Sequence, residues 1–176
     1  EPFNFTTHIT IDSLNVLKAK MGDFRADVEQ KDSGVLAVSS SLKGAMNDIT
    51  LEGRYMINSR EADLSLDIKQ FEMSNAGPLL SKYAGELNGV LKGNLSIKGT
   101  MEEPVIRGKI TADSLQAIYT MTGTYIKIPN AIWTFDEEGI QFDDLHITDS
   151  SGHEGKISGT ILTKNYRDIN FDLAVN

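Results

Sequence analysis

Gly85-Glu86-Leu87-Asn88-Gly89-Val90-Leu91-Lys92-Gly93-Asn94-Leu95-Ser96-Ile97-Lys98-Gly99-Thr100 carries its apolar residues at Leu87, Leu91, Leu95 and Ile97, always an even number of positions apart. Successive side chains of a strand point to opposite faces, so this spacing sets all four on one side and Lys98 on the other. Glycines at 85, 89, 93 and 99 punctuate the same segment. Interior glycine weakens a strand and marks a bend, a bulge or a close backbone approach. A sheet that must curl around its own apolar face needs such points, because flat sheets do not close.

The same period of two recurs along most of the chain. It is found at Phe3, Phe5, Ile9 and Ile11, then at Leu36–Leu42, Ile49–Ile57, Leu64–Ile68, Ile106–Ala112 and Leu115–Tyr119. It returns at Ile140–Phe142, Leu145–Ile147, Ile157–Ile161 and Ile169–Val175, with Gly108 and Gly159 in mid-strand. Turn clusters separate these runs: Lys31-Asp32-Ser33-Gly34, Asn58-Ser59-Arg60-Glu61, Asp136-Glu137-Glu138-Gly139 and Asp149-Ser150-Ser151-Gly152. Tight reversals every 8–12 residues or so predict about eleven mostly antiparallel strands. One short helix is predicted over 77–85, where Pro78 suits a first turn and Leu79, Leu80 and Tyr83 share a helical face. Asp12–Gly22 fits a helix or a strand, since its apolar residues match both periods.

Composition bounds the function. The 176 residues suffice for one domain, 1–176, and 40% apolar with 24% charged residues predicts a folded one. A net charge of −8 without any run of Lys or Arg offers no footprint for nucleic acid, and no clustered basic segment to pin the chain to anionic headgroups. Without cysteine there are no disulfides or thiolate metal sites. No stretch approaches a membrane-spanning helix, and Glu1 leads into Phe3 without a signal-peptide pattern, so the chain is expected to be a fragment of a longer protein.

Chemistry has no candidate. His8, His146 and His153 stand far apart, and only His153 neighbours a carboxylate in sequence, that of Glu154. The acidic groups Asp136–Glu138 and Asp143, Asp144, Asp149 do not follow calcium-loop spacing and read as solvated turns. No nucleophile elbow, phosphate cradle or zinc-protease pair occurs. The expectation is a binding protein, not an enzyme, with no catalytic residue, metal or cofactor.

About eleven strands with one apolar face, and at most two short helices to cover it, must cover themselves. A sandwich, a barrel or a U-shaped trough would each do so. Leu, Ile and Val dominate the apolar positions while aromatics are 7% with Trp133 the single tryptophan, which suits acyl chains. A transmembrane barrel would need aromatic girdles that this chain lacks.

The Gly85–Thr100 segment followed by Glu103-Pro104-Val105-Ile106-Arg107-Gly108, and the stretch from Gly139 through Gly152 to Gly159, resemble a recurrent phrase of one family. It is the C-terminal region of the TamB family, the inner-membrane-anchored subunit of the translocation and assembly module of diderm bacteria. The likeness covers the last half of the chain, and the wider AsmA-like group has similar wording. It implies an all-β fold, a long curled antiparallel sheet or "β-taco" with an apolar concave face. It further implies a periplasmic location, a parent anchored in the inner membrane, and roles in outer-membrane assembly and phospholipid transport. The expected partners are phospholipid acyl chains, a TamA-like outer-membrane protein and nascent outer-membrane proteins. The groove lining expected on this basis is Leu64, Leu66, Ile68, Leu87, Leu91, Leu95, Ile97, Ile106, Ile110, Phe142, Ile147, Ile157, Ile161, Ile169, Phe171 and Leu173. A lipid conduit and a chaperone-like scaffold that pairs with nascent strands are the two functions in view, with a structural spacer a third. The terminal strands, as sheet edges, are expected to drive self-association.

Overall fold

The computed structural model describes residues 4–32, 34–82, 84–164 and 168–175. Eleven strands succeed one another: β1 Thr6–Val16, β2 Ala19–Asp32, β3 Val35–Gly44, β4 Asn47–Met56, β5 Glu61–Glu72 and β6 Ala84–Thr100. Then come β7 Pro104–Tyr119, β8 Thr124–Phe135, β9 Gly139–Asp149, β10 Glu154–Lys164 and β11 Asp168–Val175. Each pairs antiparallel with the next, giving a single open sheet in the order β1 to β11. Among the described residues the one helical break in the meander is a 3-10 turn, Met73–Ala76, running into the four-residue helix α1, Gly77–Leu80.

The strand number agrees with the sequence pattern, but the partition differs. Ile106–Ala112 and Leu115–Tyr119 form one strand, β7, joined through Ser114 with a positive φ. Asp144 does the same within β9, joining Ile140–Phe142 to Leu145–Ile147. A bulge adds one residue, which switches the parity of the alternation and makes one strand read as two. β2 and β8 were not visible as apolar alternations, and they restore the total. Asp12–Gly22 is strand on both sides of a turn at Leu17-Lys18. The helix is shorter than 77–85: it stops at Leu80, Ala84 and Gly85 already belong to β6, and Tyr83 lies outside the described residues. Ser33 of the first turn cluster and Phe3 of the first alternation are outside them too.

All four glycines of the 85–99 segment fall in β6, a strand of 17 residues. Gly93 adopts φ +152°, and a Cβ there would collide with the Lys109 carbonyl oxygen of β7, so only glycine allows this approach. Irregularities also line up from strand to strand. The ladder shifts beside Ser13 in β1, before Phe71 in β5, near Gly89 in β6, at Ser114 in β7 and at Asp144 in β9. The result is a crease across the sheet, about which the strands bend.

The 3-10 turn and α1 are tied to this crease. Asn47, at the start of β4, is the one buried polar residue among those described, 4% exposed. Its Nδ2 donates to the Met21 carbonyl at 2.8 Å, and its Oδ1 accepts from the Glu72 amide at 3.2 Å and from Asn75 Nδ2 at 3.3 Å. Asn75 Nδ2 also donates to the Ala45 carbonyl at 2.9 Å. Met73 packs with Leu91 and Trp133 on the cluster of Ala112, Leu115 and Ala131. The helical segment is thus latched between the β3–β4 turn and the apolar face of β6–β8.

Candidate functional site

Directly opposed residues of adjacent strands share a face, so the registers define rows across the whole sheet. One row runs Ile9, Ala26, Ser40, Leu51, Leu66, Leu95 across the first six strands. It continues through Gly108, Phe135, Ile140, Ile161 and Phe171 across the other five. The next row links Ile11, Phe24, Leu42, Ile49 and Ile68 with Gly93, Ile110, Trp133, Phe142, Gly159 and Leu173. With strands about 4.8 Å apart, eleven of them extend such a row for about 48 Å.

These two rows hold eight of the expected lining residues: Leu66, Ile68, Leu95, Ile110, Phe142, Ile161, Phe171 and Leu173. The others flank them on the same face. Leu64, Ile97 and Ile106 stand opposite one another in a third row. Leu87 opposes Ala117 and Leu91 opposes Ala112, while Ile157 opposes Leu145. Ile147 follows Leu145 two positions on. The side chain of Ile169 is outside those described. The expectation omitted Ile140, Leu145 and the contribution of β1, β3 and β4, whose period of two carried the same signal, and also Phe24 of β2 and Trp133 and Phe135 of β8, strands in which no such period stood out.

The apolar face is concave and open. Ile110 is 4% and Phe142 8% exposed although no second sheet lies over them, so the curl of their own sheet shields them. Towards the edges the shielding fails: Ile9 is 44% and Phe171 67% exposed. The chain exposes 11207 Å², against about 8,500 Å² for a compact protein of this size. The single sheet is neither sandwich nor closed barrel, and its apolar side forms a trough.

The opposite face is polar. Lys98 lies 3.3 Å from Asp63, Asn94 Nδ2 donates to Asp67 at 2.6 Å, and Arg107 pairs with Glu137. Such exposed cross-strand pairs contribute little each, but they keep that side solvated. The trough wall is imperfect at one place. β8 and β9 pair at Lys127 and Thr148 and again at Trp133 and Phe142, with no ladder partners between. A cavity of about 400 Å³ lies there, lined by Asn130, Ala131, Ile132 and Asp143 among others.

The titratable groups serve turns and strands. Each histidine meets an aspartate: His8 pairs with Asp27, His146 lies 3.3 Å from Asp144 and His153 2.9 Å from Asp149. The neighbour in sequence, Glu154, is not the partner of His153. Asp149 also accepts the amides of Ser151 and His153, and its pKa is held below 3.8, first by the hydrogen bond with the His153 ring. Asp144 is lowered chiefly by its hydrogen bond with Lys156. Asp136 accepts the amides of Glu138 and Gly139 and the amide side chain of Gln141. Asp136 and Asp149 cap hairpins and Asp144 bridges β9 to Lys156 of β10, and among the described residues no group of three or more His, Cys, Asp and Glu could hold a metal ion.

No helix of the described residues is long and apolar enough to cross a membrane. Comparison with protein-family models, with curated proteins and with solved structures returns no match for this chain.

Proposed function

We propose that this chain is a lipid-binding trough that holds phospholipid acyl chains along its concave face. The observation that carries this reading is the apolar rows that run from β1 to β11 with no second sheet over them. Their length of about 48 Å exceeds the roughly 30 Å thickness of a bilayer core, so two acyl chains fit end to end. A wall of aliphatic and aromatic side chains with few polar groups binds by burial of apolar surface and suits no reaction step. Together with the likeness to the TamB family, this supports a periplasmic setting, a parent anchored in the inner membrane, and service in outer-membrane assembly and phospholipid transport. A TamA-like outer-membrane protein is the partner such a setting implies.

The test is photo-crosslinking. A crosslinking residue at Leu66, Leu95 or Ile97 captures phospholipid, and one at Lys98 or Lys109 on the polar face does not. Equal capture from both faces overturns the assignment. A second reading, a scaffold for nascent outer-membrane strands, draws on the open edges β1 and β11 and on the interrupted β8–β9 ladder, since unpaired strand backbone accepts an added strand. Capture of peptide through the β11 edge, with no lipid in the trough, would favour it.

A further inference from the structure

Ala112, Leu115 and Ala131, all buried, form a cluster beside the crease. Ala112 and Leu115 flank the bulge at Ser114, and Ala112 opposes Leu91 of β6 on one side and Ala131 of β8 on the other. This is the floor of the trough, where the strands bend, and the opposed alanines make it low. Met73 packs on it. The residue follows β5 directly, yet the cluster under it belongs to β7 and β8, so the chain turns inward there and the side chain reaches across the inner face past Leu91. The backbone around it is held by the Glu72 amide on Asn47 and by Asn75 on Asn47 and the Ala45 carbonyl. Met73 itself is unbranched, with three rotatable bonds, so its thioether tip can swing while the backbone stays in place.

We propose that Met73 is a gate on the trough floor, which divides the acyl path in two and sets the length of chain that binds without displacing it. The gate rests on the reading of the trough as a seat for acyl chains. β1–β5 lie on one side of the β6 crossing and β7–β11 on the other, and five strands at about 4.8 Å spacing span about 19 Å. Half the thickness of a bilayer core, about 15 Å, is what one acyl chain spans in a membrane, so each part seats one chain. A longer chain, or one moving along the trough, meets the Met73 side chain on Ala112 and Ala131 and must take its place. Each methylene that enters there buries itself and uncovers part of Met73, so the net burial of apolar surface stops growing. The thioether returns to the alanine bed when the chain has passed.

The test measures the affinity of the whole chain for straight-chain fatty acids of increasing length, from octanoate to eicosanoate. Affinity rises about fourfold for each added methylene while the chain fills one part, then levels off where it reaches Met73. In Met73→Ala the rise continues past that length, and eicosanoate binds about tenfold or more tighter than to the parent. Met73→Phe keeps the floor filled and levels off where the parent does or sooner. A second measurement needs no substitution, since hydrogen peroxide converts an accessible thioether to its sulfoxide. Bound eicosanoate speeds oxidation of Met73 in the parent and bound octanoate does not, while Met121, 81% exposed at a turn, reacts at one rate throughout. Levelling off at the same length in the parent and in Met73→Ala, or protection of Met73 by eicosanoate, overturns the gate and leaves the trough standing. A parent that binds no fatty acid of any length refutes the trough, and the gate with it.

Discussion

Replacing Asn47 by Ala removes the centre of the latch that holds the helical segment to the sheet. Three hydrogen bonds disappear, and the Met21 carbonyl and Glu72 amide lose a partner at a site where Asn47 is 4% exposed. At about 1 kcal/mol net for each of the three neutral bonds, the loss is about 3 kcal/mol. For a chain of this length that corresponds to a fall in Tm of roughly 6–12 °C. Asn75→Ala breaks the more exposed bond to the Ala45 carbonyl and one bond to Asn47, and costs less, about 1 kcal/mol. Urea denaturation measures both losses, and hydrogen exchange localises the first, with amide protection falling over residues 73–80. An Asn47→Ala variant within about 0.5 kcal/mol of the parent, or one less harmed than Asn75→Ala, would refute the latch.

Two further perturbations address the edges and the turns. β1 and β11 run in the same direction because the strand number is odd, so edges joined head to tail pair in parallel, while two β11 edges related by a two-fold axis pair antiparallel and keep both apolar faces on one side. Concentration-dependent dimerisation is therefore expected in sedimentation velocity and is lost in Phe171→Lys, an inward-pointing charge on the edge strand; a parent that stays monomeric refutes this. Asp149 has its pKa depressed below 3.8, so its stabilisation of the β9–β10 turn is present at neutral pH and is lost as pH falls through the folded value. The protection factors of the Ser151 and His153 amides, taken against intrinsic exchange at each pH, consequently fall as pH drops through that lowered value, a step absent in Asp149→Asn. An unchanged step in that variant assigns it to another group.

Which residues of the later strands share the apolar face was legible because alternation is a property of the backbone itself. Wherever a strand is regular, as at Leu64–Ile68 or Leu95–Lys98, the inner face follows from counting by twos. Counting fails where a bulge intrudes, so Ser114 and Asp144 each hid the continuity of a strand. β2 was hidden for another reason: its inner positions are Gly22, Phe24, Ala26, Val28 and Gln30, too mixed in size and polarity to stand out. β8 is disturbed at Pro129-Asn130, where Asp113 and Asn130 oppose each other next to the bulge at Ser114.

Local sequence determined that the chain forms strands, which side of most strands is apolar, and that tight turns make neighbours antiparallel. Those properties depend on φ/ψ preferences and side-chain alternation within a few residues. The tertiary structure alone decided that the sheet stays open instead of closing as a sandwich or barrel. It also brought Asn47 to Met21 and Glu72. Openness and burial depend on which distant strands approach one another and on how bends accumulate over eleven of them, and no window of a few residues contains that sum.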